Sequence, residues 1–259
     1  MKIAITGKGG VGKTTLSSTL ARVFSEGGSQ VLMVDADPDA NLAQSLGISQ
    51  EEIDRIKPIA AMAELIEERT GAKPGAAGAM FKLNPKVDDI PDEFSYRHKG
   101  MKLLVMGRAK AGGAGCYCPE NVLLKSLVRH IILQRGDVVV LDMEAGIEHL
   151  TRGTSGYVDA FIVVVEPGGR SLQTAHQVKK LADDLGIKKV YVVGNKVRNE
   201  EDREFIRQAV SDMELLGFMN YSAEVIGADL HGKEVYDSCP GLVSEVEAIK
   251  ARLTELVEK

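Results

Sequence analysis

Short unbroken apolar runs alternate along the chain with longer stretches in which apolar positions recur every three or four residues. The runs are "KIAIT" (2–6), "QVLMVDAD" (30–37), "KLLVMG" (102–107), "DVVVLDM" (137–143), "AFIVVVEP" (160–167) and "KVYVVGNK" (189–196). They are rich in β-branched residues and mostly lack in–out alternation, as expected of strands covered on both faces. Helical periodicity predicts helices over 13–26, 51–69, 119–134, 171–185, 200–210 and 242–258. Strand–helix–strand repetition puts crossover helices on both faces of a mostly parallel sheet, a three-layer α/β architecture. Residues 71–100, rich in Gly and Pro, break the rhythm and read as an insertion or mobile loop. No repeat or linker divides the chain, so one domain over residues 1–259 is expected.

Composition narrows the function classes. With 44% hydrophobic and 27% charged residues the chain has material for a sizeable core. A formal net charge of −5 gives no general attraction to nucleic-acid phosphates or anionic lipid. No run approaches the roughly eighteen apolar residues of a membrane span, and "MKIAITGKGG" is expected to enter a strand at once rather than to act as a secretion signal. Three cysteines make a poor disulfide framework. A cytoplasmic protein with reduced thiols is expected, with no nucleic-acid or membrane partner.

The segment "GKGGVGKTT" (7–15) fits G-x-x-x-x-G-K-[ST] from Gly7 to Thr14, after a strand and before a helix. This is the phosphate loop of a P-loop NTPase. The backbone N–H groups of Gly9, Gly10, Val11, Gly12, Lys13, Thr14 and Thr15 are expected to cradle phosphate at a positive helix end. Lys13 would hold the β- and γ-phosphates, and the Thr14 hydroxyl would ligate Mg²⁺.

Carboxylates fall where such chemistry uses them. "VDADPDAN" sets Asp35, Asp37 and Asp39 at the carboxyl end of the second strand. A carboxylate there can orient the attacking water or reach Mg²⁺ through its shell; Asp39 reads equally well as a turn or cap residue. "VVVLDMEAG" ends a strand in Asp142, suited to the metal's outer shell, with Gly146 placed to sense the γ-phosphate. A strand-end aspartate capping a helix is the plainer alternative. In "VVGNKVRN", Asn195 offers a donor and an acceptor to an adenine edge, with Lys196 beside it.

"GAGCYCPEN" places Cys116 and Cys118 one residue apart. A disulfide across that spacing is strained. Thiolates favour zinc, nickel, copper(I) or iron–sulfur clusters, and in extended backbone residues i and i+2 point to one side. A closed tetrahedral site nevertheless needs four ligands, twice what one chain offers here. Buried structural cysteines are the plainer reading. Cys239, in "DSCPG", reads as an ordinary thiol. His149 reads as a locally packed residue, and the histidines at 98, 130, 176 and 231 form no cluster.

With both Lys8 and Lys13, "KGGVGKTT" resembles the deviant phosphate loop of the MinD/nitrogenase-iron-protein class of ATPases. Taken with "VDADPDAN", "GAGCYCPEN", "DMEAGIEHLTRGT" and "NKVRN" in that order, the chain is similar to the CooC/AcsF-type ATPases. Those proteins mature nickel enzymes, carbon monoxide dehydrogenase and acetyl-CoA synthase. The resemblance spans most of the chain and departs mainly at 71–100. It implies ATP and Mg²⁺ as cofactors and a homodimer closed around nucleotide, with Lys8 of each copy reaching the other's phosphates. It makes Lys8, Lys13 and Asp37 catalytic, Asp37 as the water-activating group, and points to Asn195 and Lys196 at the adenine. The dimer would let Cys116 and Cys118 of both copies share one Ni²⁺, with Zn²⁺ able to substitute.

The implied function is an ATP-hydrolysing metallochaperone for nickel insertion into one of those two enzymes. An iron–sulfur carrier or nitrogenase-iron-protein-like electron donor is the alternative, but the resemblance gives that protein cysteines from separate segments rather than one Cys-x-Cys. A MinD- or ParA-type positioning ATPase fits less well. The tail "GLVSEVEAIKARLTELVEK" carries Leu242, Val246, Ile249, Leu253 and Leu256 on one stripe, without aromatics and with acids offsetting bases. Docking on its own core is expected of it.

Overall fold

A computed structural model describes residues 1–37, 39–75, 80–107, 118–134, 136–144 and 158–258. Among these, eight strands form one sheet: β1 (Lys2–Thr6), β2 (Val31–Asp35), β3 (Tyr96–His98), β4 (Met101–Val105), β5 (Val138–Asp142), β6 (Ala160–Val165), β7 (Val190–Val197) and β8 (Glu214–Asn220). Their order is β3-β4-β2-β5-β1-β6-β7-β8, with every pairing parallel except β3 with β4.

Every residue of β1, β2 and β6 is buried, which is why these runs show no polar face. Successive side chains still point to opposite sides. Leu32 and Val34 join one apolar layer with Leu104 and Leu141, while Met33 joins the other with Val140 and Leu103. The helices in chain order are α1 (Lys13–Glu26), α2 (Leu42–Ser45), α3 (Gln50–Ile53), α4 (Ala63–Thr70), α5 (Ile90–Glu93), α6 (Pro119–Gln134), α7 (Gly169–Leu185), α8 (Glu200–Ala209), α9 (Ala223–Leu230), α10 (Val235–Ser238) and α11 (Pro240–Val257); the longer ones, α1, α6, α7, α8 and α11, supply the flanking layers. Leu242, Val246, Ile249 and Leu253 of α11 are buried against the core, and Lys250 Nζ donates to the Val23 carbonyl of α1 at 3.2 Å. No helix among the described residues is long and apolar enough to cross a membrane.

The helix expected over 51–69 is broken. Gln50–Ile53 forms one turn, Ile59–Ala61 a 3₁₀ turn and Ala63–Thr70 a second helix. Pro58 lies between them; it has no N–H to donate, and its ring bars helical backbone before it. The stretch 71–100 contributes the turn Ile90–Glu93 and the antiparallel edge strand β3, and Arg69 reaches into it to hold Asp89 at 2.7 Å. Further unpredicted elements among the described residues are β8 and the helices Leu42–Ser45, Ala223–Leu230 and Val235–Ser238.

β1 sits at the centre between β5 and β6, with the crossovers leaving toward both sheet edges. In such sheets the carboxyl ends of the strands at this reversal form the ligand crevice.

Candidate nucleotide site

The chain leaves β1 at Thr6, curls through residues 7–12 and enters α1 at Lys13. Two glycines have no substitute here. Gly12 lies at φ 95°, and a Cβ on it would fall 2.0 Å from Asn195 Nδ2. A Cβ on Gly7 would fall 2.4 Å from the Val164 carbonyl oxygen. No acidic residue occupies the first turn of α1, so its unsatisfied N–H groups present an unopposed positive end to an anion.

Thr14 Oγ1 donates to Asp142 Oδ2 at 2.7 Å. Asp142 is buried at the end of β5; burial pushes its carboxyl up to about 6, against the pull of the Thr14 hydroxyl and the Lys13 charge. Its Oδ1 is buried with no hydrogen-bond partner. Lys13 Nζ lies 3.7 Å from Asp37 Oδ2, both side chains being largely shielded.

Asp35, fully buried, faces Asp142 across the β2–β5 register. It accepts from the backbone N–H of Asp37 at 3.3 Å and of Leu42 at 3.0 Å, and so shapes the loop that carries Asp37. Burial pushes its carboxyl up to about 7, opposed by the Leu42 N–H and helped by Asp142. Asp39 is exposed; its N–H donates to Asp37 Oδ1 at 3.0 Å and its carbonyl accepts from Asn41, which makes it a turn residue.

On the other side of the loop, Asn195 Nδ2 donates to the Val11 carbonyl at 2.7 Å, and Asn195 Oδ1 accepts from the Lys196 N–H at 2.7 Å. The amide assigned by resemblance to adenine is thus bonded at both ends to the chain's own backbone. Lys196 Nζ donates to the Gly10 carbonyl at 2.6 Å and pairs with Glu166 at 3.0 Å. A cavity of about 440 Å³ opens beside them, lined by Gly10, Gly12, Thr15, Arg198, Tyr221 and Ile226 among others. The Arg198 guanidinium lies 5.3 Å over the Tyr221 ring at its wall. An adjoining cavity of about 410 Å³ reaches Thr14, Asn41 and Asp229.

Residues 2–235 match the CobQ/CobB/MinD/ParA nucleotide binding domain. The chain belongs to this family. It is 51% identical over 238 residues to an ATP-binding protein of Methanocaldococcus jannaschii, covering 91% of each chain. It is 47% identical over 257 residues to the carbon monoxide dehydrogenase accessory protein CooC of Rhodospirillum rubrum, covering 99% of this chain and 97% of that one. The MinC:MinD cell division protein complex of Aquifex aeolicus contains a chain of the same fold, with TM-score 0.70 and 19% identity over 98% of this chain and 96% of that one.

As a MinD/ParA-family member, the chain is a P-loop ATPase. Its oxygen donors fit the Mg²⁺ that accompanies the nucleotide: the Thr14 hydroxyl adjoins Asp142, whose orphaned buried Oδ1 lacks a partner, and Mg²⁺ prefers hard oxygen ligands. Lys8 is half-buried within the loop and has no ion-pair partner among the described residues, while Gly9 and Gly10 are exposed.

Cys118 is buried immediately before α6, its carbonyl accepting the Val122 N–H at 3.1 Å. Cys116, Gly146 and His149 lie outside the described residues. Cys239 is fully buried, and burial pushes its thiol up, as suits an unreactive core residue. Among the described residues no three His, Cys, Asp or Glu side chains gather as a metal site. Sequence reasoning did not find Glu166; its only signal is an acid directly after the apolar run of β6.

Proposed function

We propose that this ATPase is a cytoplasmic metallochaperone that carries nickel on cysteines shared across a homodimer and supports insertion into carbon monoxide dehydrogenase or acetyl-CoA synthase. The observation that carries the reading is the 47% identity to the Rhodospirillum rubrum accessory protein across nearly the whole of both chains. The Cys-x-Cys pair entering α6 supplies soft ligands suited to such cargo.

Hydrolysis follows from the phosphate-loop geometry. Thr14, and Asp142 through the outer shell, would hold the Mg²⁺ that accompanies the nucleotide, which would supply charge neutralisation at the phosphates. Lys13 accepts the β- and γ-phosphate charge and in doing so loosens its 3.7 Å pairing with Asp37. Asp37 is then available to orient the attacking water. Lys8 of a second copy completes the charge balance in the closed dimer. Nucleotide state and cargo affinity are thereby coupled, because each favours a particular arrangement of the two copies.

Nickel-free carbon monoxide dehydrogenase, incubated anaerobically with nickel-loaded protein and Mg·ATP, tests this directly. Activity should return with wild-type protein and fail with Lys13→Ala. Equal recovery with both would remove ATP hydrolysis from the reading, and a parallel assay with nickel-free acetyl-CoA synthase identifies the target.

A further inference from the structure

The end of β7 grips the phosphate loop through carbonyls. Asn195 Nδ2 holds the Val11 carbonyl at 2.7 Å, and Lys196 Nζ holds the preceding one, Gly10, at 2.6 Å. Lys196 is itself fixed by Glu166 at 3.0 Å, and the Glu166 backbone N–H is tied to Ser171 Oγ of α7 at 3.1 Å. Lys196 also sits at φ 56°, a left-handed conformation that a lysine adopts only when its surroundings impose it.

The consequence is geometric. In a planar trans peptide the C=O and the following N–H point in opposite directions. Drawing the Gly10 and Val11 carbonyls toward β7 therefore turns the N–H groups of Val11 and Gly12 the other way, toward the hollow of the loop. Among the described residues the Val11 N–H makes just a long 3.4 Å contact, to the Lys8 carbonyl. Inward-pointing N–H groups are what a phosphate-binding concavity requires.

We infer that Lys196, fixed by Glu166, is a positioning residue that sets the peptide orientation of the phosphate loop, and that it acts on phosphate affinity rather than on recognition of the base. This holds whatever cargo the ATPase carries.

Lys196→Met and Glu166→Gln, alone and together, test it through affinities for ADP and for pyrophosphate, steady-state ATP hydrolysis and the melting of the nucleotide-free protein. Loss of a charge-assisted bond should weaken ADP and pyrophosphate alike, by about tenfold or more for Lys196→Met. KM for ATP should rise by more than kcat falls, because ground state and transition state lose the same support. Glu166→Gln should weaken both ligands less, and the double variant should match Lys196→Met, since the glutamate acts through the lysine. A loss confined to ADP, with pyrophosphate bound as in wild type, would make Lys196 a base-reading residue and overturn the inference. So would unchanged affinity for both ligands. If Lys196→Met fails to fold, the ADP-to-pyrophosphate comparison in Glu166→Gln decides alone.

Discussion

Thr14 Oγ1 and Asp142 Oδ2 stand 2.7 Å apart, joining the first turn of α1 to the end of β5. The two residues are 128 positions apart, and only the parallel β1–β5 pairing makes them neighbours. The bond leaves Asp142 Oδ1 buried and unpartnered beside the hydroxyl, a donor set for one small hard cation. Thr14→Ala should therefore raise the Mg²⁺ concentration needed for tight ADP binding by about tenfold or more. Titration of Mg²⁺ at fixed ADP reads this shift; an unchanged midpoint would detach Thr14 from the metal.

Asp35 and Asp142 make stability depend on pH in a specific sense. Burial raises the Asp35 carboxyl from 3.8 to about 7 and the Asp142 carboxyl to about 6. Between those limits the folded chain binds more protons than the unfolded one, so these two groups favour folding at low pH. That stabilisation is lost as pH rises toward 7. Asp37 adds to the repulsion on both carboxylates, and Lys13 opposes it at Asp142. The nucleotide-free Asp35→Asn variant should lose part of this decline between pH 5 and pH 8. Identical pH profiles of the melting temperature in wild type and variant would contradict the assignment.

Much of the fold was legible because the sheet is buried on both faces. The run 160–165 carries no polar position, and in 2–6 the polar Lys2 and Thr6 sit only at the two ends of the apolar stretch. β8 escaped because most of its residues are exposed or half-exposed and Gly217, which lies against Ile249, interrupts the apolar run. β3 escaped because three residues, Tyr-Arg-His, carry no period. The phosphate loop is a local motif and could be read at once. The brace on it could not: Asn195 and Lys196 lie 184 and 186 positions from the carbonyls they hold. The same is true of Lys13 with Asp37, whose pairing depends on β1 and β2 both ending at the same rim.

Lys8 separates a composite site from a self-contained one. Half-buried and without an ion-pair partner among the described residues, it is available to a second copy. Lys8→Ala should bind ATP with affinity close to wild type, yet hydrolyse it about a hundredfold more slowly, the scale for removing one preorganised charge donor. Sedimentation with a non-hydrolysable ATP analogue should show the variant remaining monomeric under conditions that pair the wild type. Wild-type turnover in Lys8→Ala would make the site complete within one chain.

Metal stoichiometry tests the proposed sharing of one ion between two copies most directly. Anaerobic, reduced protein is titrated with Ni²⁺ and read by metal content and by sedimentation. Binding should saturate at one ion per two chains, with dimer forming as metal is added, since a ligand specific to the paired state stabilises it by mass action. Cys118→Ser should abolish tight binding, because two-fold symmetry removes two of four thiolates at once, while ATP hydrolysis at least partly survives. One tightly bound ion per chain, with no change in oligomeric state, would contradict a site shared between two copies.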